Sequence, residues 1–219
     1  MTSRQDEPAP DRPGFSRRSF IKSIGASATA STLTGIATSQ AGLLGRESEA
    51  TPLLGPGTVP LEFNINGKAE KVRVEPSTTL AQVLRYSLGM TGTKVICDRG
   101  ACGGCSVIAD GKLINSCMTL AADMQGAKIT TIEGLAQGSK LDPVQESFLR
   151  HDALQCGYCT PGFIVATRVL LNDIPKPTLA QIKKALSGNI CRCGTYTNIF
   201  NAALEASGQP VIMDQKGAV

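Results

Sequence analysis

The stretch C-D-R-G-A-C-G-G-C, residues 97 to 105, followed by Cys117, decides how this chain is read. C-x4-C-x2-C with a later fourth cysteine is the plant-type ligand spacing of a [2Fe–2S] cluster. The chemistry explains the pattern. A tight loop must bring several thiolates onto one small inorganic core while backbone N–H groups point at its sulfurs. Gly100, Gly103 and Gly104 allow the close approach and the unusual dihedrals this requires, and Ala101 and Ser106 keep the loop small. Cys97, Cys102, Cys105 and Cys117 are therefore the first candidate ligand set.

Outward from that loop the pattern is mainly strand-like from Leu61 to about Leu135, within a first domain assigned to residues 61–137. L-E-F-N-I-N places Leu61, Phe63 and Ile65 on one face, Asn66-Gly67 signals a hairpin turn, and Val72 and Val74 continue on the return strand. Thr79 with Gln82 reads as a capping box opening a short helix that carries Leu80, Val83, Leu84 and Leu88 inward and stops at Gly89. S-V-I-A and K-L-I-N flank Asp110-Gly111 as a second hairpin, and a last strand runs from Ile129 to Ile132. Short strands with one helix laid across them predict a small α+β domain.

After Gly134 the period becomes helical, and residues 138–208 predict four helices. Asp142, Pro143 and Gln145 form the first start, with Val144, Phe148, Leu149 and Leu154 as its stripe. Thr160-Pro161 opens the second, through Phe163, Val165, Val169 and Leu170. Thr178 and Gln181 box the third, which carries Ile182 and Leu186 to Gly188. The fourth covers Asn198 to Ala206 and closes at Gly208. This half holds Cys156-x2-Cys159 and Cys191-x-Cys193, on two loops that can converge at one end of a bundle. By spacing alone this second set fits an all-cysteine zinc site as well as a [2Fe–2S] cluster.

Composition narrows the field. The chain has 219 residues, 42% apolar and 18% charged, which is not a disordered composition. A net charge of +4 is too small a bias to suggest nucleic acid as a partner. Eight cysteines fall below the roughly 8–10% of a disulfide scaffold, and C-x2-C and C-x-C are poor places for structural bridges. Cys156-Gly-Tyr-Cys159 is not set in a βαβ pattern, against a thioredoxin-type role. The single His, His151, reads as a helix-surface residue and leaves no room for His-based catalysis. No nucleophile stands with a base, so no catalytic residues are assigned.

The amino terminus reads as an address. S-R-R-S-F-I-K, residues 16–22, is followed by an Ala/Ser/Thr/Gly stretch without charge until Arg46. That layout resembles a twin-arginine export signal, which is a receptor-read address and no membrane anchor. Residues 1–50 are assigned to it, with cleavage after Ala41 or Ala50. A Pro/Gly linker occupies 51–60 and a tail 209–219. Export of a folded protein lets metal cap the cysteines before an oxidant meets them.

Together Q-C-G-Y-C-T-P-G, N-I-C-R-C-G and C-D-R-G-A-C-G-G-C resemble the small iron–sulfur subunit of the molybdenum hydroxylases, the xanthine oxidase family. The likeness runs from about Pro60 to Ser207, and the leader brings it nearest to iron–sulfur subunits of periplasmic aldehyde oxidoreductases. It implies an N-terminal β-grasp, ferredoxin-like domain and a C-terminal four-helix [2Fe–2S]-binding domain. It implies a second cluster on Cys156, Cys159, Cys191 and Cys193, with Cys193 next to the pterin and Gln155 hydrogen-bonded to it. The residue-level alternative for Gln155 is a solvated helix C-terminus.

The resemblance also implies partner chains, a large molybdopterin subunit that performs the chemistry and an FAD subunit, in a heterotrimer. Electrons would run from molybdenum to the second cluster, then to the first, then to FAD or an external acceptor. Arg99 and Arg192, beside ligands, either raise cluster potential or mark a subunit interface. The expected role is electron transfer in a periplasmic oxidoreductase acting on aldehydes; N-heterocycles and purines are also handled by the family. The alternative is a free-standing two-cluster electron carrier.

Overall fold

The two hairpins form where local chemistry demands them. β1 (Val59–Ile65) and β2 (Lys68–Val74) pair antiparallel around Asn66 and Gly67, both in the left-handed region at φ 52° and 80°. β3 (Ser106–Ala109) and β4 (Lys112–Asn115) turn in the same way on Asp110 and Gly111, φ 47° and 80°. Two successive residues at positive φ give the turn whose twist matches that of the strands. The structure, a computed structural model, describes residues 55–212. The export signal, residues 51–54 of the linker and residues 213–219 of the tail lie outside them.

The five strands order as β2-β1-β5-β3-β4, with β5 (Lys128–Thr130) parallel to β1 and antiparallel to β3. β5 is shorter than the sequence suggests, because the chain bends into a 3-10 turn at Ile132–Gly134. Asn66 holds that bend: its Oδ1 accepts from Thr131 N at 2.9 Å and its Nδ2 donates to Thr131 Oγ1 at 2.9 Å. Across the sheet lies α1 (Leu80–Gln82), opened by the expected Thr79–Gln82 capping box. It widens at once into a π-helical turn, Val83–Ser87, and Leu88 ends only half-buried. Leu61, Phe63, Ile65, Leu80, Val83, Leu84, Val107 and Ile129 form the core beneath it.

The helical half contains α2 (Pro143–Arg150), α3 (Thr160–Asp173), α4 (Leu179–Ala185) and α5 (Tyr196–Ala206). The capping boxes at Asp142–Gln145 and Thr178–Gln181 are both formed. α5 begins two residues earlier than its sequence pattern indicates. Leu149 does not join the stripe of α2; it is 61% exposed. Ser147 takes the inward position, its hydroxyl reaching Ala202 O and Glu205 Oε2, each at 2.8 Å. The core is Val144, Phe148, Phe163, Leu170, Ile182, Leu186 and Ile199.

α3 is apolar nearly all round and buried on both faces, as a central helix must be. One face serves the bundle; the other packs on β3, whose four residues S-V-I-A are all buried. The two halves thus share α3 and form one compact unit. Among the described residues no helix is long and apolar enough to cross a membrane.

Candidate metal centres

The first loop is built around its glycines. Gly100 and Gly103 stand at φ 70° and 66°, and Asp98 at φ 51°. This winding aims backbone donors at sulfur: Ala101 N lies 3.3 Å from Cys97 Sγ and Gly100 N lies 3.4 Å from Cys117 Sγ. Cys102, Cys105 and Cys117 are buried and Cys97 is half-buried. The thiols stand in pairs, Cys97 against Cys102 and Cys105 against Cys117. Donation from the Arg99 backbone N–H, supported by Cys102 and Ala101, lowers the Cys97 thiol to about 7. Burial and then the Cys105 thiol raise Cys117 to about 11.

The second set comes from two loops of the bundle. Cys156 sits in the segment between α2 and α3, and Cys159 immediately precedes the first turn of α3 without a side-chain capping bond. Cys191 and Cys193 lie between α4 and α5. The loops meet, so that Cys156 pairs with Cys193 and Cys159 with Cys191. Cys159 and Cys191 are buried, whereas Cys156 and Cys193 are exposed. Burial, then the Cys191 thiol, pushes Cys159 up to about 12. At Cys191 burial also pushes upward, but the Thr195 hydroxyl at 3.2 Å, the Thr195 N–H and further donors outweigh it, leaving about 7. The Tyr158 backbone N–H lowers Cys156. At Cys193 donation from the Cys156 backbone N–H is outweighed by the Cys156 thiol and burial, so that its thiol is raised.

These sets fit iron–sulfur cores. Each offers four thiols in two pairs, backbone donors directed at sulfur, and no carboxylate among them. Among the described residues no three His, Cys, Asp or Glu side chains converge on one ion-sized position. Two thiolates per iron is what a two-iron core with four cysteines requires.

The two loops are also bonded to each other. Ile190 N donates to Cys102 O at 3.0 Å, and Asn189 Nδ2 donates to Gly103 O at 3.0 Å. One residue, Ile190, and one hydrogen bond therefore join Cys191 of one set to Cys102 of the other. Neither link was legible in the sequence, since the partners lie more than eighty residues apart in the chain.

Gln155 is exposed beside Cys156, five residues beyond the end of α2 and so not at a helix C-terminus. Arg99 and Arg192 are both exposed. His151 is not a solvated surface residue. It ends α2 with its side chain 22% exposed and Nε2 2.7 Å from Glu205 Oε2, placed for charge contact without a well-directed hydrogen bond. Arg150 Nε adds a contact to Glu205 Oε1 at 2.9 Å, and Asn198 Nδ2 donates to Asp152 O at 3.1 Å. Together they fasten the segment leading to Cys156 onto α5.

Comparison with known proteins agrees with this geometry. The 2Fe-2S iron-sulfur cluster binding domain family matches residues 63–131, and the [2Fe-2S] binding domain family matches residues 131–204. The aldehyde oxidoreductase iron-sulfur-binding subunit PaoA of Escherichia coli K12 is 40% identical over 210 residues, covering 89% of each chain. The nicotine 6-hydroxylase small subunit of Paenarthrobacter nicotinovorans is 45% identical, over 69% of this chain and 91% of its own. Among solved structures, quinoline 2-oxidoreductase from Pseudomonas putida 86 superposes with a TM-score of 0.66 at 41% identity, covering 72% of this chain and all of the matched chain. The chain carries two [2Fe–2S]-binding domains and belongs to the small iron–sulfur subunits of the molybdenum hydroxylase family.

Proposed function

We propose that Cys97, Cys102, Cys105 and Cys117 hold one [2Fe–2S] centre, and Cys156, Cys159, Cys191 and Cys193 the other. The chain then carries electrons for a substrate-oxidising molybdopterin subunit. The observation that carries this reading is the direct bonding of two four-thiol loops through Ile190 N and Cys102 O. When bound, each centre supplies a one-electron couple. The protein's own part is to hold eight sulfurs, direct N–H groups at them and keep the two loops together. Local potential follows from such hydrogen bonds, from burial and from solvent access.

The exposed pair Cys156 and Cys193, with Gln155 beside them, supports an edge that faces the molybdopterin subunit, with Gln155 as a pterin contact. The first set, buried except for half-buried Cys97, is then the outlet toward an FAD subunit or an external acceptor, in a heterotrimer. Relatives act on aldehyde, nicotine and quinoline with similar small subunits, so substrate choice resides elsewhere. The aldehyde reading is favoured by the length of the Escherichia coli match. That match leaves only about a tenth of this chain unaligned, so it reaches back into residues 1–50. The same residues carry the twin-arginine pattern, which supports export to the periplasm in folded form.

The test is affinity purification of the tagged chain from its native host. It is expected to bring down a large molybdenum-containing chain whose complex oxidises aldehydes, while the chain alone does not. Isolation of a stable monomer without partner would show a free electron carrier instead.

A further inference from the structure

The seam between the two loops is held by a side chain that belongs to neither ligand set. Asn189 is 5% exposed and reaches across to Gly103 O, between Cys102 and Cys105. The next residue, Ile190, donates to the preceding carbonyl, Cys102 O. Two consecutive residues of one loop therefore grip two consecutive carbonyls of the other. The fit is close on every side: a Cβ at Gly103 would stand 2.5 Å from Asn189 Nδ2 and 2.7 Å from Gly188 O. A Cβ at Gly162, in the first turn of α3, would overlap Gly103 O itself. The same carbonyl accepts from Ser106 Oγ at 2.7 Å and Ser106 N at 3.2 Å, but those donors come from its own loop.

We infer that Asn189 is a positioning residue for electron exchange between the two centres: it fixes the separation of the loops without touching either set of sulfurs. The inference rests on the assignment of the eight cysteines proposed above. An amide suits this position, because Gly103 O already has two donors from its own loop and only a side-chain N–H of this length adds one from across the seam. Aspartate has the same shape but turns an anionic acceptor toward the carbonyl, and leucine fills the space without a donor. Ser106→Ala is the control, since it removes a bond to the same carbonyl that does not cross the seam.

The experiment is low-temperature EPR of the full chain, loaded with iron and sulfide and fully reduced, for wild type, Asn189→Asp, Asn189→Leu and Ser106→Ala. Wild type is expected to show two [2Fe–2S] signals with magnetic splitting between them. In both Asn189 variants each signal persists at full iron content while the splitting narrows or is lost. Ser106→Ala lowers thermal stability and leaves the splitting unchanged. If Asn189→Asp fails to accumulate, Asn189→Leu carries the same comparison. Splitting that stays at the wild-type value in an Asn189 variant, or is lost equally in Ser106→Ala, overturns the inference alone. Absence of two signals in wild type overturns the cysteine assignment and the inference with it.

Discussion

Gly103→Ala tests how tightly the two halves are interlocked. Two costs can be worked from the structure. At φ +66° an alanine gives up about 1–2 kcal/mol relative to a right-handed conformation. Its Cβ also crowds Asn189 Nδ2 at 2.5 Å and the Gly188 backbone oxygen at 2.7 Å, and such overpacking costs about 1–3 kcal/mol. Gly188 O belongs to backbone and cannot rotate aside, so the loops must part. Together the two effects amount to about 2–5 kcal/mol, a large share of the roughly 5–15 kcal/mol that holds a domain folded. At about 2–4 °C per kcal/mol the midpoint of thermal unfolding should fall by about 4–20 °C. Gly111→Ala separates the two terms, since Gly111 has φ +80° with open space around it and carries the strain alone. The assay is thermal unfolding of the cluster-loaded chain, followed by circular dichroism and by visible absorption. Gly103→Ala should lose both signals together and well below Gly111→Ala. Equal midpoints for the two variants would refute the close approach of the loops.

Thiol reactivity offers a second check. In reduced, metal-free protein at pH 7, iodoacetamide should modify Cys97 and Cys156 first, because both are accessible and lowered; Cys117 and Cys159, buried and raised to about 11 and about 12, should react last, as read by peptide mass spectrometry. Uniform labelling would contradict the loop geometry. The Glu205 carboxyl is held below its ordinary value of 4.5 by the Ser147 hydroxyl first, then by Arg150 and His151. A depressed carboxylate contributes stability above its unfolded value and loses it as pH falls through the folded one. Glu205→Gln should therefore destabilise the chain at pH 7, and its deficit should shrink in denaturation measured below about pH 4.5; a deficit independent of pH would contradict the ion contact. In the loaded protein, a chelator should strip the centre on exposed Cys156 and Cys193 before the other, with the two EPR signals decaying in that order.

What the sequence made legible was what local chemistry decides. Asn66-Gly67 and Asp110-Gly111 require positive φ at two residues, so the hairpins follow from four letters. Thr79, Asp142 and Thr178 each find their partner three residues on, and all three boxes form. The cysteine spacing likewise fixes which thiols share a loop. Legibility ends where a residue's neighbour comes from far along the chain. Leu149 faces outward because α5 offers a carbonyl and a carboxylate to Ser147, and the inward position goes to the hydroxyl. His151 is drawn to Glu205 on that same helix. S-V-I-A shows no alternation because α3, from the other half, covers the face that would otherwise meet water. Asn189 has no local signature at all, since its partner is Gly103.

The most direct test of the whole account is the metal content and EPR spectrum of the purified chain. Iron and acid-labile sulfide should each be present at about four per chain, as two four-cysteine [2Fe–2S] cores require. Reduction with dithionite should bring up two distinct [2Fe–2S] signals, one of which disappears in Cys105→Ser and the other in Cys159→Ser. Stoichiometric zinc without labile sulfide, or a single signal lost in both variants, would contradict it.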